Sequence, residues 1–281
     1  VLYPSPGFPI YESMIEFHGG KAVPYTYIDN GGKFLLDLDQ LKSNITSKTS
    51  MLIFNNHHNP TAAESPHDEL EALAEICMEN DLWVLSDEAY FETRYEGESE
   101  SIASIPGMAE RTVILYTFSK RFAMTGWRVG ASIGPPEVME IIGQLNVNDE
   151  SCTNHFAQWA MIEALEGGTE MCKPITDELR VRRDVARDLL NGIKGVSVGS
   201  PSSTFYLFPK VTEVLEKKGL RNSIELQEAV LKDTGVAFCP RSYFCTPLLD
   251  EKEHYVRFAY AGIGLDDIRE GMARFKAYCE A

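Results

Sequence analysis

Thr117-Phe118-Ser119-Lys120-Arg121-Phe122-Ala123-Met124-Thr125-Gly126-Trp127-Arg128-Val129-Gly130 follows the apolar run Val113 to Tyr116, and its reading governs that of the rest of the chain. A lysine at the end of a buried strand is desolvated, and an arginine eight positions later adds a second positive charge. Both effects disfavour the ammonium form, so Lys120 can lose its proton and attack an aldehyde. Hydroxyls at Thr117 and Ser119 and a guanidinium at Arg128 suit a phosphate beside that amine. For an arbitrary Ser-Lys pair the plainer reading is a surface cation in a strand-to-helix loop. The other segments decide against it.

Leu82-Trp83-Val84-Leu85-Ser86 is a short apolar run of the kind that forms a parallel strand covered on both faces, and Asp87, Glu88 and Tyr90 follow it directly. Met51-Leu52-Ile53-Phe54 is a second such run, leading into Asn55-Asn56-His57-His58-Asn59-Pro60-Thr61-Ala62. Ligands of open α/β sheets sit beyond the carboxyl ends of the strands, so these segments face the same crevice as Lys120. Asn59-Pro60 favours a turn, where a cis bond would be a deliberate feature.

Strands and helices alternate around these motifs. Ser65 and Pro66 open a helix as cap and first residue, with Leu70, Leu73, Ala74, Cys77 and Met78 at helical spacing toward the sheet. Strands over Leu82 to Ser86, Thr112 to Phe118 and Val129 to Ile133 follow, then a helix begun by Pro135-Pro136. After Gly167-Gly168 the texture changes to a long helix, Met171 to Leu190, ended by Asn191-Gly192. Strands Ser203 to Phe208 and Val236 to Cys239 and a final helix from Leu265 complete a smaller α+β part. The boundary near Gly168 divides the chain into residues 1–168 and 169–281. Gly262-Ile263-Gly264 precedes a helix, but Asp267 stands where a dinucleotide fingerprint requires its third glycine, so a Rossmann site is rejected.

Taken in order, Tyr3-Pro4-Ser5-Pro6-Gly7-Phe8, Asn59-Pro60-Thr61, Asp87-Glu88-Ala89-Tyr90, Ser119-Lys120 and Tyr255-Val256-Arg257-Phe258 resemble the fold-type I pyridoxal phosphate enzymes, and within them the class I/II aminotransferases related to aspartate aminotransferase. The resemblance runs along essentially the whole chain. It implies a three-layer αβα large domain with a mostly parallel sheet, and a transaminase that moves an amino group between an amino acid and a 2-oxo acid. It further implies a pyridoxal 5'-phosphate Schiff base on Lys120, which then shuttles the α-proton. Asp87 would pair with the pyridine nitrogen and keep the ring an electron sink. Asn59 and Tyr90 would bond the ring's 3' oxygen, with Asn59 also near the substrate. Arg128, Thr117 and Ser119 would hold the phosphate, and Phe8 would stack on the ring. Arg257 would clamp the substrate carboxylate, since a cation in an apolar strand needs an anion. Each residue also has a bland reading: a turn for Asn59 and Asp87, a core tyrosine for Tyr90, a surface arginine for Arg128, loop packing for Phe8, a structural ion pair for Arg257.

The chain departs from the family pattern at three positions. His57 and Ala62 stand where the asparagine-proline loop normally has proline and glycine, and Ala62 fits only if that position does not need a positive φ. Arg241 replaces the glycine usual after Pro240, and its side chain could point toward or away from the site. The chain also opens at Val1 inside the family pattern, without the upstream small-residue loop that holds phosphate, and so reads as an amino-terminally truncated enzyme.

With 26 basic and 42 acidic residues, the net charge of -16 argues against nucleic acid or an anionic membrane as partner. The length of 281 residues fits about two domains. Arg180-Val181-Arg182-Arg183 reads as a solvated helix face. Six cysteines without paired spacing read as reduced thiols in a cytoplasmic protein, and His57-His58 as a turn, since no second ligand cluster has zinc-like spacing. No stretch resembles a leader or a membrane span. By resemblance the enzyme is a homodimer, with Asn148 to Gln158 either at the subunit interface or an exposed loop. Two alternatives use the same scaffold: a carbon-sulfur β-lyase, and a non-catalytic effector domain of a transcription regulator.

Overall fold

Short apolar runs that alternate with amphipathic helices bury best as parallel strands covered on both faces, and the first two-thirds of the chain does this. The computed structural model describes residues 1–248 and 251–281. In chain order, β1 (Leu2–Pro4), α1 (Ile10–Phe17), β2 (Val23–Tyr25), β3 (Tyr27–Asn30), β4 (Lys33–Leu36) and α2 (Leu38–Ser43) come first. Next are β5 (Met51–Phe54), α3 (His67–Glu79), β6 (Trp83–Asp87), β7 (Thr112–Thr117), β8 (Gly130–Ile133), α4 (Pro136–Asp149) and α5 (His155–Glu166). The remainder holds α6 (Gly168–Asn191), β9 (Tyr206–Leu207), α7 (Thr212–Lys218), α8 (Ser223–Thr234), β10 (Cys239–Pro240), β11 (Val256–Ala259) and α9 (Leu265–Glu280).

The main sheet has the order β2-β1-β5-β6-β7-β8 and is parallel except for β8, which runs against β7. The register Phe54↔Ser86, Asp87↔Leu115 and Thr117↔Gly130 brings the carboxyl ends of β5, β6 and β7 to one edge. A second sheet, β10-β11-β9, is antiparallel, and β3 and β4 form a separate hairpin.

Two hydrophobic clusters hold these layers. Leu52, Phe54 and Val84 of the main sheet are buried against Leu70, Leu73, Ala74, Ile76 and Cys77 of α3. Phe238, Val256 and Phe258 of the smaller part are buried against Ala186 and Leu190 of α6, Val230 of α8 and Phe275 of α9. Each fully buried valine, leucine, isoleucine or phenylalanine among them contributes roughly 1.5–3 kcal/mol.

Two local expectations are corrected. Met78 is 40% exposed, because the buried stripe of α3 ends at Ile76 and Cys77 and the next residue rotates toward solvent. There its sulfur covers Gly107, where an added Cβ would lie 2.7 Å from it. Pro66, not Ser65, occupies the cap position of α3, and Ser65 is buried with its backbone N–H donating to Asn56 Oδ1 at 3.0 Å. The long helix also starts earlier than read, at Gly168, and accommodates Pro174 within it.

Burial is incomplete on one side. No residue of α4 is buried, and Ile133, Ile141, Leu145, Phe156, Trp159 and Leu165 are all exposed. Among the described residues, no helix is long and apolar enough to cross a membrane.

Candidate active site

The carboxyl edge of the main sheet gathers the first group. Asp87 ends β6, and its Oδ2 accepts from the Tyr11 hydroxyl at 2.5 Å while its Oδ1 accepts from the Ala89 N–H at 3.1 Å. The loop after β5 is tied to the same point: Asn55 Nδ2 donates to the Asp87 carbonyl at 2.8 Å, and Asn55 Oδ1 accepts from the Asn59 N–H at 3.0 Å. Burial pushes the Asp87 carboxyl up, opposed by the Tyr11 and Ala89 hydrogen bonds and by the Lys120 charge.

Lys120, in the loop beyond β7, is half-buried. Desolvation lowers its pKa, the positive charges of Arg128 and Arg257 lower it further, and Asp87 opposes them. Its Nζ lies 5.7 Å from the centroid of the Tyr90 ring and 5.9 Å from that of Phe205. Arg128 follows a three-ten turn at φ 55, is exposed, and donates from Nη1 to the Thr125 carbonyl at 3.0 Å. Thr117 Oγ1 accepts from the Ser119 N–H at 3.1 Å and donates to the Val129 carbonyl at 3.4 Å, so its hydroxyl is engaged within the loop. Ser119 is buried. Phe8 is 43% exposed and meets Tyr11 edge-on at 5.9 Å, so it joins the group through the tyrosine that holds Asp87.

The second sheet supplies the opposite wall. Arg257 pairs with Cys239 across β10–β11, and Tyr206 pairs with Ala259 across β11–β9. Side chains two apart on a strand share a face, so Cys239, Arg257 and Tyr206 form one row. The Arg257 guanidinium lies 4.3 Å from the Tyr206 ring centroid and 4.6 Å from that of Phe244. Its Nη1 donates to Asn59 Oδ1 at 2.7 Å, and its Nε is buried without a partner among the described residues. Tyr90 and Tyr206 are both buried, with their hydroxyl oxygens 2.6 Å apart. Asn59, Asp87, Tyr90, Lys120, Arg128 and Arg257 thus lie in one neighbourhood of hydrogen bonds and charge interactions.

The three departures resolve as follows. Ala62 adopts φ 56 and His57 φ 57, so the loop takes left-handed backbone at both positions, and the condition stated for Ala62 is not met: alanine is held at a positive φ. The Ala62 N–H donates to the His58 carbonyl at 2.7 Å, and the Asn59-Pro60 bond is cis. Arg241 turns inward and is 4% exposed, with Nε on Glu251 Oε1 at 2.7 Å, Nη1 on the Phe244 carbonyl at 2.8 Å and Nη2 on Ser5 Oγ at 3.0 Å. His57 and His58 are buried, each using Nδ1, on Ser203 Oγ at 3.1 Å and Thr61 Oγ1 at 2.8 Å.

Tyr11, Asn55 and Tyr206 were not singled out from the sequence. Tyr11 had a signal, since it is a second aromatic three positions after Phe8, in the first turn of α1. Asn55, a buried amide at a strand end, had a weaker one. Tyr206 sits among aromatics that read simply as core.

A mostly parallel sheet with a depressed lysine, a carboxylate and an arginine at its carboxyl edge, and a second arginine facing them from the small sheet, is the arrangement of a fold-type I pyridoxal phosphate enzyme. The family model for "Aminotransferase class I and II" matches residues 1–275, and the chain belongs to that family. It is 32% identical over 280 residues to an aspartate aminotransferase of Sulfolobus acidocaldarius, covering 99% of this chain and 68% of that protein. It is 36% identical over 280 residues to aromatic-amino-acid aminotransferase 2 of Thermococcus litoralis, covering 98% and 69%. Among solved structures, N-succinyldiaminopimelate aminotransferase from Mycobacterium tuberculosis superposes with a TM-score of 0.90 at 30% identity, covering 99% of this chain and 71% of that one. The protein is an aminotransferase that transfers an amino group between an amino acid and a 2-oxo acid, with pyridoxal 5'-phosphate as cofactor.

Proposed function

We propose that Lys120 is the cofactor-bearing and proton-shuttling residue of this transaminase, and that the neighbouring side chains divide the cofactor and substrate between them. The observation that carries this is one amine, already depressed by burial and by Arg128, lying within the charge influence of Asp87 and Arg257. The donor set fits the cofactor: a guanidinium with unspent donors for a phosphate, a buried carboxylate for a ring nitrogen, and a buried orphan Nε on Arg257 for a carboxylate. Bound pyridoxal phosphate supplies an aldehyde that condenses with amines and a ring that accepts the electron pair left at the substrate's α-carbon.

Lys120 Nζ, neutral more readily than a solvated lysine, takes the α-proton and returns it. Asp87, held by Tyr11 and Ala89, keeps a proton on the ring nitrogen. Asn59 and Tyr90 orient the ring's 3' oxygen. Arg128 holds the phosphate with Thr117 and Ser119, whose hydroxyls would exchange their loop bonds for it. Phe8 covers the ring face. Arg257, with Asn59 on its Nη1, binds the substrate carboxylate. In this reading residues 1–168 form the cofactor domain and 169–281 the smaller domain. The exposed apolar side chains of β8, α4 and α5 support a homodimer, since a patch of this kind is rare on a monomer.

Borohydride reduction of the protein with bound cofactor should fix the cofactor on the peptide containing Lys120. Lys120→Ala should lower kcat by about 10²–10⁴-fold or more. Addition of L-aspartate or L-phenylalanine without an acceptor should convert the cofactor spectrum to the pyridoxamine form. Labelling of a different lysine would overturn the assignment.

A further inference from the structure

We propose that Tyr206 is a positioning residue that serves both halves of the site: its hydroxyl sets the direction of the Tyr90 hydrogen bond, and its ring seats the Arg257 guanidinium. The inference rests on the roles given above to Tyr90 and Arg257. It starts from the small sheet, where Tyr206 opposite Ala259 and Arg257 two residues earlier share a face of β9–β11. That register stacks the guanidinium 4.3 Å from the Tyr206 ring centroid and turns the hydroxyl outward to the Tyr90 hydroxyl at 2.6 Å. The groups that face Tyr206 are Tyr90 from the large part, Phe205 beside it, and Arg257 and Cys239 from the neighbouring strands. Lys120 lies beyond, over the Tyr90 and Phe205 rings.

A phenol has one proton to donate. If Tyr90 donated to Tyr206 it would have none for a ring oxygen, so the polarity of this pair decides whether Tyr90 can serve the cofactor. The cation over Tyr206 makes that ring the better donor. Burial raises both phenols and the Arg257 charge opposes it at both, but the guanidinium stands directly over the Tyr206 ring, 4.3 Å from its centroid, and is the largest opposing influence there. Tyr206 therefore donates, Tyr90 accepts, and the Tyr90 proton is left free. A donor whose oxygen accepts another hydrogen bond is itself strengthened. Both side chains are buried, 6% and 4% exposed, so water does not compete for the pair.

The two functions separate by substitution. Tyr206→Phe removes the hydroxyl and keeps the ring, so it weakens the Tyr90 bond and leaves Arg257 seated. The pH midpoint of the visible absorption change of the enzyme with bound cofactor should rise by roughly half to one unit, because a weaker donor favours the ring oxygen's anion less. The KM for L-aspartate or L-phenylalanine, whichever is turned over, should stay within about twofold. Tyr206→Leu removes the ring as well, and KM should rise roughly three- to tenfold from the lost cation–π contact. In a Tyr90→Phe background, Tyr206→Phe should add no further spectral shift.

A Tyr206→Phe midpoint equal to that of the unsubstituted enzyme, while Tyr90→Phe moves it, would overturn the proposal and leave the assignment of Tyr90 intact. Equal KM increases in the Phe and Leu variants would overturn the division between hydroxyl and ring. If Tyr90→Phe moves neither midpoint nor activity, the site assignment itself fails and the proposal with it.

Discussion

Two loops of this protein each carry an arginine, and they use it in opposite ways. Arg128, after the three-ten turn Thr125–Trp127, is exposed and donates to one carbonyl of its own turn. Arg241, at the start of the loop after β10, is 4% exposed and spreads its donors over Glu251, the carbonyls of Phe244 and Cys245, and Ser5. A guanidinium has five donors, so the first has capacity left for a ligand and the second has almost none. In a site, an arginine satisfied by protein is structural, and one with unspent donors is available to an anion. The same rule separates Arg241 from Arg257, whose Nε is buried without a partner among the described residues.

Removing the satisfied arginine should therefore damage the fold more than any other change considered. Arg241→Met leaves the Glu251 carboxylate and two loop carbonyls without their donor, and Glu251 Oε2 already has no partner among the described residues. Breaking a buried pair in this way costs about 3–5 kcal/mol. At roughly 2–4 °C per kcal/mol for a chain of this size, thermal unfolding followed by circular dichroism should show Tm lower by about 10 °C. A fall of less than about 2 °C would erase the contrast with Arg128.

The His57-His58 turn tests the comparison from the opposite side, because among the described residues these buried groups are satisfied at one ring nitrogen only. Burial holds His57 down to about 4 and His58 to about 3, against an ordinary value of 6.5. Below pH 6.5 the unfolded chain binds protons that the folded chain refuses. Stability is therefore full above that pH and falls as the solution is acidified toward pH 4, by roughly 2 kcal/mol for each histidine at pH 5. His58→Asn should recover about that much of the loss between pH 8 and pH 5 in urea unfolding. An unchanged pH dependence would mean that His58 takes up a proton while folded.

Arg128→Met should give the mirror image of Arg241→Met. Losing charge-assisted bonds to a phosphate should weaken cofactor retention by roughly tenfold to a hundredfold, with Tm of the protein stripped of cofactor nearly unchanged. Spectroscopic titration with pyridoxal phosphate measures the first and calorimetry the second. A large loss of stability with unchanged retention would move Arg128 into the structural class.

How much of this was legible in the sequence follows the range of the interactions. Four strands of the main sheet, β5 to β8, were placed within a residue or so, because continuous apolar runs such as Leu82 to Ser86 allow one register, observed as Trp83–Asp87, whereas the three-residue β1 and β2 are too short to show a pattern. The small sheet was overdrawn: Ser203 to Phe208 shrinks to Tyr206–Leu207, since Thr204 at φ 65 turns the chain just before it. Motif residues such as Asp87 and Lys120 were readable because strand ends converge on one edge whatever the loops do. Arg241 was not, since its orientation depends on Ser5, 236 positions away. Tyr206 was hidden for a different reason: a buried aromatic looks the same in sequence whether its hydroxyl is idle or employed.

Ala62 gives the smallest effect and the sharpest test of backbone strain in the loop that carries Asn59. Its φ of 56 is left-handed, a conformation in which a Cβ crowds the following carbonyl and costs about 1–2 kcal/mol. The loop keeps it because the Ala62 N–H closes on the His58 carbonyl at 2.7 Å and the Ala63 N–H on Thr61 Oγ1 at 3.1 Å. Ala62→Gly removes the crowding, but glycine also gains freedom in the unfolded chain, which returns about 0.4–1 kcal/mol. The remainder is a stabilisation of roughly 0.5–1 kcal/mol, or about 1–4 °C in Tm. Because the hydrogen bonds that fix Asn59 involve Asn55 and Arg257 rather than the Ala62 methyl, kcat should not change. A lower Tm would show that the buried methyl contributes more by packing than it costs by strain, and that the loop's shape is set by contact with its surroundings rather than by its own turn.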